Sequence, residues 1–182
     1  MRTLGIALGL FAAATAAAAT TLGDKWLWLL AASAAIAAAI AAASALRSHH
    51  VSSFLKIFIA TFGVETILFG AAVIAQRAGL SPQAWKEYQL PDSLPVSVAI
   101  FAILTYAISH LPVVKAMTRI ADRYFDTDDV GVARVWPLPS YRALERRIAV
   151  AMVVTLVLIN QAQVAISVRL SFFNRDWFNA IQ

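Results

Sequence analysis

Four polar side chains lie inside stretches that are otherwise apolar, and they are the first candidates for chemistry. Glu65 follows Gly63-Val64 and precedes Thr66-Ile67-Leu68-Phe69. An ionised carboxylate at mid-bilayer depth costs on the order of a few kcal/mol, so Glu65 must face protein or water, or be protonated. Two readings stay open. One is a proton-coupling or substrate-contact site, and the other is a hydrogen bond to a neighbouring helix, through Thr66 or Tyr106, or a water-filled pocket. The second group is Asn160, Gln161 and Gln163. Amides in apolar helices link them to neighbours for about 1 kcal/mol each. Asn160 and Gln163 share a helix face while Gln161 points away, which suits either helix packing or the polar wall of a cavity.

Other motifs carry less. His49 and His50 are adjacent, so they cannot share one helical face, and no third ligand stands at a metal-binding spacing. His110, two residues before Pro112, is expected to cap or kink a helix end. Asp126-Thr127-Asp128-Asp129 resembles the start of a calcium loop, but its fifth position is Val130 and its twelfth Pro137, which removes the ligands. Gly5 and Gly9 form a G-x-x-x-G spacing, read as packing within a helical hairpin. The chain contains no P-loop, no Gly-x-Ser-x-Gly and no His-Glu-x-x-His. Catalysis within these residues is not expected, and no cofactor is assigned to them.

The elements that must position these groups are membrane spans. The chain has 182 residues, 60% hydrophobic and 14% charged, with a mean hydropathy of +0.72. Soluble domains carry nearly twice that charge. With no cysteine, disulfides and thiolate metal sites are excluded. The net charge of +5 sits at the ends of apolar runs, where topology and anionic lipid explain it, so nucleic acid is not an expected partner. About 20 apolar residues cross a bilayer. Five stretches qualify: residues 3–22, 26–46, 54–75, 96–113 and 148–168. The first also has the basic start and small residues of a signal peptide, but is read as a retained helix. With the N-terminus inside, Arg2, Arg47, Lys56, Lys115, Arg119, Arg123, Arg134, Arg142, Arg146 and Arg147 fall inside. Lys25, Arg77, Lys86, Arg169 and Arg175 fall outside, leaving 10 of 15 basic residues inside. The expectation is N-terminus in, C-terminus out.

Asp24-Lys25 is read as a tight outer turn joining the first two spans into a hairpin. Residues 77–95 form an outer loop with three prolines, in which 83–88 reads as a surface turn of helix carrying Trp85 and Tyr88. Residues 114–147 form the long inner segment. Val113, Met117, Ile120 and Tyr124 recur at helical spacing, read as an amphipathic extension of the fourth span. The acidic patch 126–129 ends it, and Pro137 and Pro139 break the chain. Ser140 then reads as the N-cap of a basic elbow helix, residues 141–147.

After the fifth span the chain reads Val168-Arg169-Leu170-Ser171-Phe172-Phe173-Asn174-Arg175-Asp176-Trp177-Phe178-Asn179-Ala180-Ile181-Gln182. An apolar helix leaving a membrane into an aromatic, amide-rich ending reads as the point where a larger assembly continues. Residues 142–182 resemble the start of the transmembrane core in SbmA/BacA-like peptide transporters, above all their ATP-driven ABC-transporter relatives. In that family a basic segment feeds the first core helix, which exits through a motif like Asn-Arg-Asp-Phe-Tyr-Asp/Asn-Ala-Leu-Gln. The resemblance implies a homodimer with a large central cavity and a nucleotide-binding domain in cis or trans that uses ATP and magnesium. It also implies uptake of antimicrobial or nodule-type peptides, bleomycin-like drugs or cobalamin across a bacterial inner membrane. Stand-alone members are proton-driven and use membrane acids; the fifth span here has none, which favours the ATP-driven branch.

The expected fold is therefore all-α, an integral membrane bundle of about five transmembrane helices. Residues 1–113 form a four-helix extension, 114–147 a cytoplasmic amphipathic loop and elbow, and 148–182 the first core helix with its outer turn. Glu65, Asn160, Gln161, Gln163, Arg169, Asn174, Arg175, Asp176, Trp177, Asn179 and Gln182 are the candidate cavity or coupling residues. Phe172, Phe173, Trp177 and Phe178 suit either interfacial anchoring or the outer mouth of a cavity. The rival expectation is a small, non-transporting scaffold or regulatory subunit of a larger membrane complex.

Overall fold

The computed structural model describes residues 1–46, 51–80, 90–125, 127–134 and 140–181. His49, His50, the surface turn at 83–88, Asp126, Pro137, Pro139 and Gln182 lie outside them. The described residues are 83% helical and form six helices. In order these are α1 (Arg2–Leu22), α2 (Lys25–Leu46), α3 (Ser53–Arg77), α4 (Ser93–Ile108), α5 (Pro112–Phe125) and α6 (Glu145–Ile181); two short strands, β1 (Val130–Ala133) and β2 (Tyr141–Leu144), precede α6. The chain divides into two compact units, Met1–Arg123 and Tyr124–Gln182. By length and composition, α1, α2, α3 and residues 145–167 of α6 are able to cross a membrane, and α4 with α5 forms a fifth candidate as a bent pair.

In the first unit, alanine-rich α1 and α2 form the expected hairpin. Gly23 takes a left-handed φ of 66° that ends α1, and the Asp24 carboxylate accepts from the Trp26 amide at 2.9 Å to start α2. A Cβ on Gly5 would lie 3.3 Å from the Ala42 nitrogen, so the two backbones approach closely there, whereas Gly9 has nothing within 4 Å. Only the first glycine of the G-x-x-x-G spacing therefore packs against the partner helix. Closer approaches occur on α3, where Gly63 faces Leu4 and Leu8 and Gly70 faces Phe11 and Leu30. These pairs show α1 and α3 running in the same direction. At one end of the unit, Ile40, Val51 and Ile59 form a core joined by Met1, Leu55, Ile103 and Tyr106. At the other end Arg77 closes α3 by pairing with Asp24, in the α1–α2 turn, and with Asp92, the residue before α4. Its Nε donates to Asp92 Oδ1 at 3.3 Å.

Residues 113–124 are not a continuation of the fourth span. α4 stops at Ile108 and α5 leaves at 95° to it. Two side chains engage the Tyr106 carbonyl at the break: Ser109 Oγ donates to it at 2.6 Å and His110 Nδ1 lies 2.9 Å away. Pro112 has no amide to continue the helical ladder and disfavours helical backbone at Leu111. α4 ends beside His110, as expected, and the bend there is close to a right angle.

The second unit departs most from expectation. Residues 141–147 do not form a basic helix capped by Ser140. Residues 141–144 form β2, antiparallel to β1, with Val130 opposite Leu144 and Ala133 opposite Tyr141. A helix of seven residues is marginal alone, and the ladder to β1 satisfies the same backbone groups. The Glu145 amide donates to the Asp129 carbonyl at 2.8 Å, which closes the hairpin and opens α6. Gly131 sits beneath that junction: a Cβ there would lie 2.8 Å from Glu145 Cγ. α6 then runs for 37 residues to Ile181, so the ending is helical rather than a turn at residue 168. From Glu145 onward there is no glycine or proline to stop it.

Candidate functional site

Glu65 is 5% exposed, among the most buried polar residues of the first unit. It stands one helical turn after Phe62, whose ring meets Phe101 of α4 at a centroid distance of 5.9 Å. Three residues apart, Glu65 and Phe62 share a face of α3. The hydroxyl of Thr66 donates to the Phe62 carbonyl at 2.8 Å, so it serves its own helix. Tyr106 packs in the cluster at the far end of α4, edge-on to His110.

In the second unit, α6 carries the remaining candidates. Asn160 and Gln163 are exposed and Gln161 is half-buried. Because the helix continues, it brings a further group onto their face. Ser167 and Asn174 follow Asn160 by seven and fourteen residues, two multiples of the helical repeat. Asn160, Gln163, Ser167 and Asn174 form one polar stripe about 21 Å long, at 1.5 Å per residue. The Ser167 hydroxyl donates to the Gln163 carbonyl at 2.9 Å. Gln161, Arg169 and Ser171 are the other polar positions over this length, and Val164 and Ile166 are exposed apolar neighbours of the stripe. Beyond the stripe, Phe173 and Trp177 stack at 6.3 Å, and Phe178 is exposed. Arg169, Arg175, Asp176 and Asn179 are positions of the last turns of α6, and Gln182 lies outside the described residues. Among the described residues, no three metal-capable side chains come together.

Chemically, the stripe is a row of three amides and one hydroxyl along a largely apolar helix. It presents donors and acceptors along one face, suited to polypeptide backbone or to amides on a facing helix. Sequence reading found its first two members but placed Asn174 in a turn. The signal was available: with no helix breaker after residue 145, the period of the fifth span extends to the end. Two further polar residues went unnoticed. Arg77 binds two carboxylates, and Asp122 reaches back to the start of α3. Both act across more than a dozen residues, and helical periodicity does not report such pairs.

Comparison with protein-family models, with curated proteins and with solved structures finds no match to this chain.

Proposed function

We propose that this chain is the membrane portion of an ABC-type transporter that moves peptides or similar bulky solutes across a bacterial inner membrane. In this reading α1–α4 form an N-terminal membrane extension, with the N-terminus inside. α6 is the first helix of the transporter core and leads the C-terminus outside. ATP and magnesium bind a nucleotide-binding domain in cis or trans, and the working unit is a homodimer through the core.

The observation that carries the reading is α6 itself. An apolar stretch long enough to cross a bilayer bears a polar stripe from Asn160 to Asn174 and leads into stacked aromatics. That ending, Asn174-Arg175-Asp176-Trp177-Phe178-Asn179-Ala180-Ile181-Gln182, is the segment that resembles the SbmA/BacA-like transporters. A cavity for peptides needs apolar surface with interspersed backbone-binding groups, and this face supplies both.

The test is ATP-stimulated uptake of a fluorescent cationic peptide into vesicles holding the full transporter. Replacing Asn160, Gln163 and Asn174 together by Ala is expected to reduce uptake at least tenfold while leaving membrane insertion intact, about the effect of losing two or three hydrogen bonds to a neutral solute. ATP-independent accumulation, or uptake indifferent to all three substitutions, would remove the assignment.

A further inference from the structure

α5 has three separate faces, and the membrane reading of the first unit leaves two of them without a role. Thr118 is buried and Asp122 half-buried on the face turned into the unit. Asp122 Oδ1 accepts from Ser52 Oγ at 2.6 Å and from the Phe54 amide at 3.2 Å. It thereby completes the N-cap of α3 from 70 residues away. The second face holds Val113, Met117 and Ile120, exposed by 68%, 67% and 73%. Lys115, Arg119 and Arg123 occupy the third at four-residue steps, between the other two.

The bend places this helix across one end of the unit. α4 starts beside Arg77, the last residue of α3, and Tyr106, near its end, packs with Val51 and Leu55 at the beginning of α3. α4 thus runs the length of α3. α5 turns away at 95°, and the Asp122 contact ties its far end to the start of α3. A helix held in this way, with one apolar stripe and one cationic stripe side by side, has the pattern of a segment lying in the plane of a lipid–water boundary.

We propose that α5 is a docking element for an anionic lipid surface. The apolar stripe Val113-Met117-Ile120 sinks to the acyl boundary, and Lys115, Arg119 and Arg123 bind phosphate headgroups of the same leaflet. The Asp122 latch holds the helix at the depth where both occur. Charge complementarity selects this occupant: apolar surface alone would accept a protein, but a continuous basic row beside it matches acidic headgroups. The proposal rests on α1–α4 being inserted in a bilayer, though not on the chain being a transporter.

The chain has no cysteine, so one introduced thiol is unique. Spin labels at Met117→Cys, Arg119→Cys and, on the exposed side of α3, Leu68→Cys are read for collision with membrane-soluble oxygen and water-soluble nickel chelate. The full chain is placed in vesicles of phosphatidylcholine alone and of equal parts phosphatidylcholine and phosphatidylglycerol. Oxygen contact is expected to dominate at Met117 and nickel contact at Arg119. In Met117→Cys combined with Lys115→Gln and Arg119→Gln, the phosphatidylglycerol-dependent part of the Met117 signal is expected to fall several-fold. Equal accessibility at Met117 and Arg119, or no response to phosphatidylglycerol, overturns the proposal. So does spin–spin broadening at Met117 that ignores lipid composition, since a second copy would then cover the stripe. A water-exposed label at Leu68 would instead refute the membrane reading beneath it.

Discussion

Gly70 shows how a single residue decides packing that no sequence pattern announces. A Cβ there would lie 2.5 Å from Phe11 Cζ and 3.3 Å from Leu30 Cδ2, so both neighbours would have to move. Gly70→Ala is expected to destabilise the first unit by about 1–3 kcal/mol, the usual range for overpacking. Gly9→Ala, with open space around it, should be neutral or slightly stabilising in thermal unfolding of the detergent-solubilised chain. Equal melting temperatures for the two variants would refute this assignment of the α1–α3 contact. The sequence advertised Gly5 and Gly9 because their spacing forms a known motif. Gly63 and Gly70 were silent because a glycine's role depends on what stands opposite, and that is set by tertiary packing. Glu65 was visible as an anomaly, a carboxylate in an apolar run, and it is indeed buried. Its role is a separate matter. If it couples protons or contacts the solute, the near-isosteric Glu65→Gln should lower uptake and flatten its pH dependence without lowering the melting temperature. Unchanged uptake across pH would leave it a packing residue.

Among the elements, the helices of the hairpin and α3 were legible because length, hydropathy and the Gly23-Asp24 turn all agree on them. The failures share a cause. α5 was read as a continuation of α4 because amphipathic spacing says where a helix is, not how it joins its neighbour. The joint depends on Ser109 and His110 engaging one carbonyl. β2 was read as helix because its basic residues and Ser140 fit a local rule, while its partner strand lies beyond two prolines. The contacts that fix these elements are therefore the ones to test. Removing Asp122 takes an acceptor from Ser52 and from the Phe54 amide, and Asp122→Ala should cost about 1 kcal/mol, as other helix caps do. Asp122→Asn keeps an acceptor and should lose less. At the opposite end, Arg77→Ala leaves Asp24 and Asp92 without their shared cation. Each pair is partly solvated and worth roughly 1 kcal/mol or less. A double-mutant cycle of Arg77→Ala with Asp92→Ala should give a coupling of that size in thermal unfolding, and no coupling would reduce the clip to a coincidence of position.

For the whole molecule, composition pointed to helices of membrane-spanning length, and the structure has four, or five with the bent pair, that are long and apolar enough to cross a bilayer among the described residues. The proposed orientation rests on where the charges gather. Met1, Val51, Leu55 and Tyr106 meet at one end of the first unit, and α5 with Lys115, Arg119 and Arg123 is tied there through Asp122. Asp24, Arg77 and Asp92 meet at the other and compensate one another. In the proposed topology the end that carries Lys115, Arg119 and Arg123 is the cytoplasmic one, where lysine and arginine are retained and acidic lipid is abundant. Two exposed positions make this measurable in intact cells. Leu80 follows α3 at the compensated end, and Asp128 follows α5. In the cysteine-free chain, Leu80→Cys should react with a membrane-impermeant maleimide from outside. Asp128→Cys should react only after permeabilisation. The opposite pattern would invert the topology and carry the end of α6 to the cytoplasm. The polar stripe would survive such an inversion, but an outward-facing mouth built from Phe173, Trp177 and Phe178 would not.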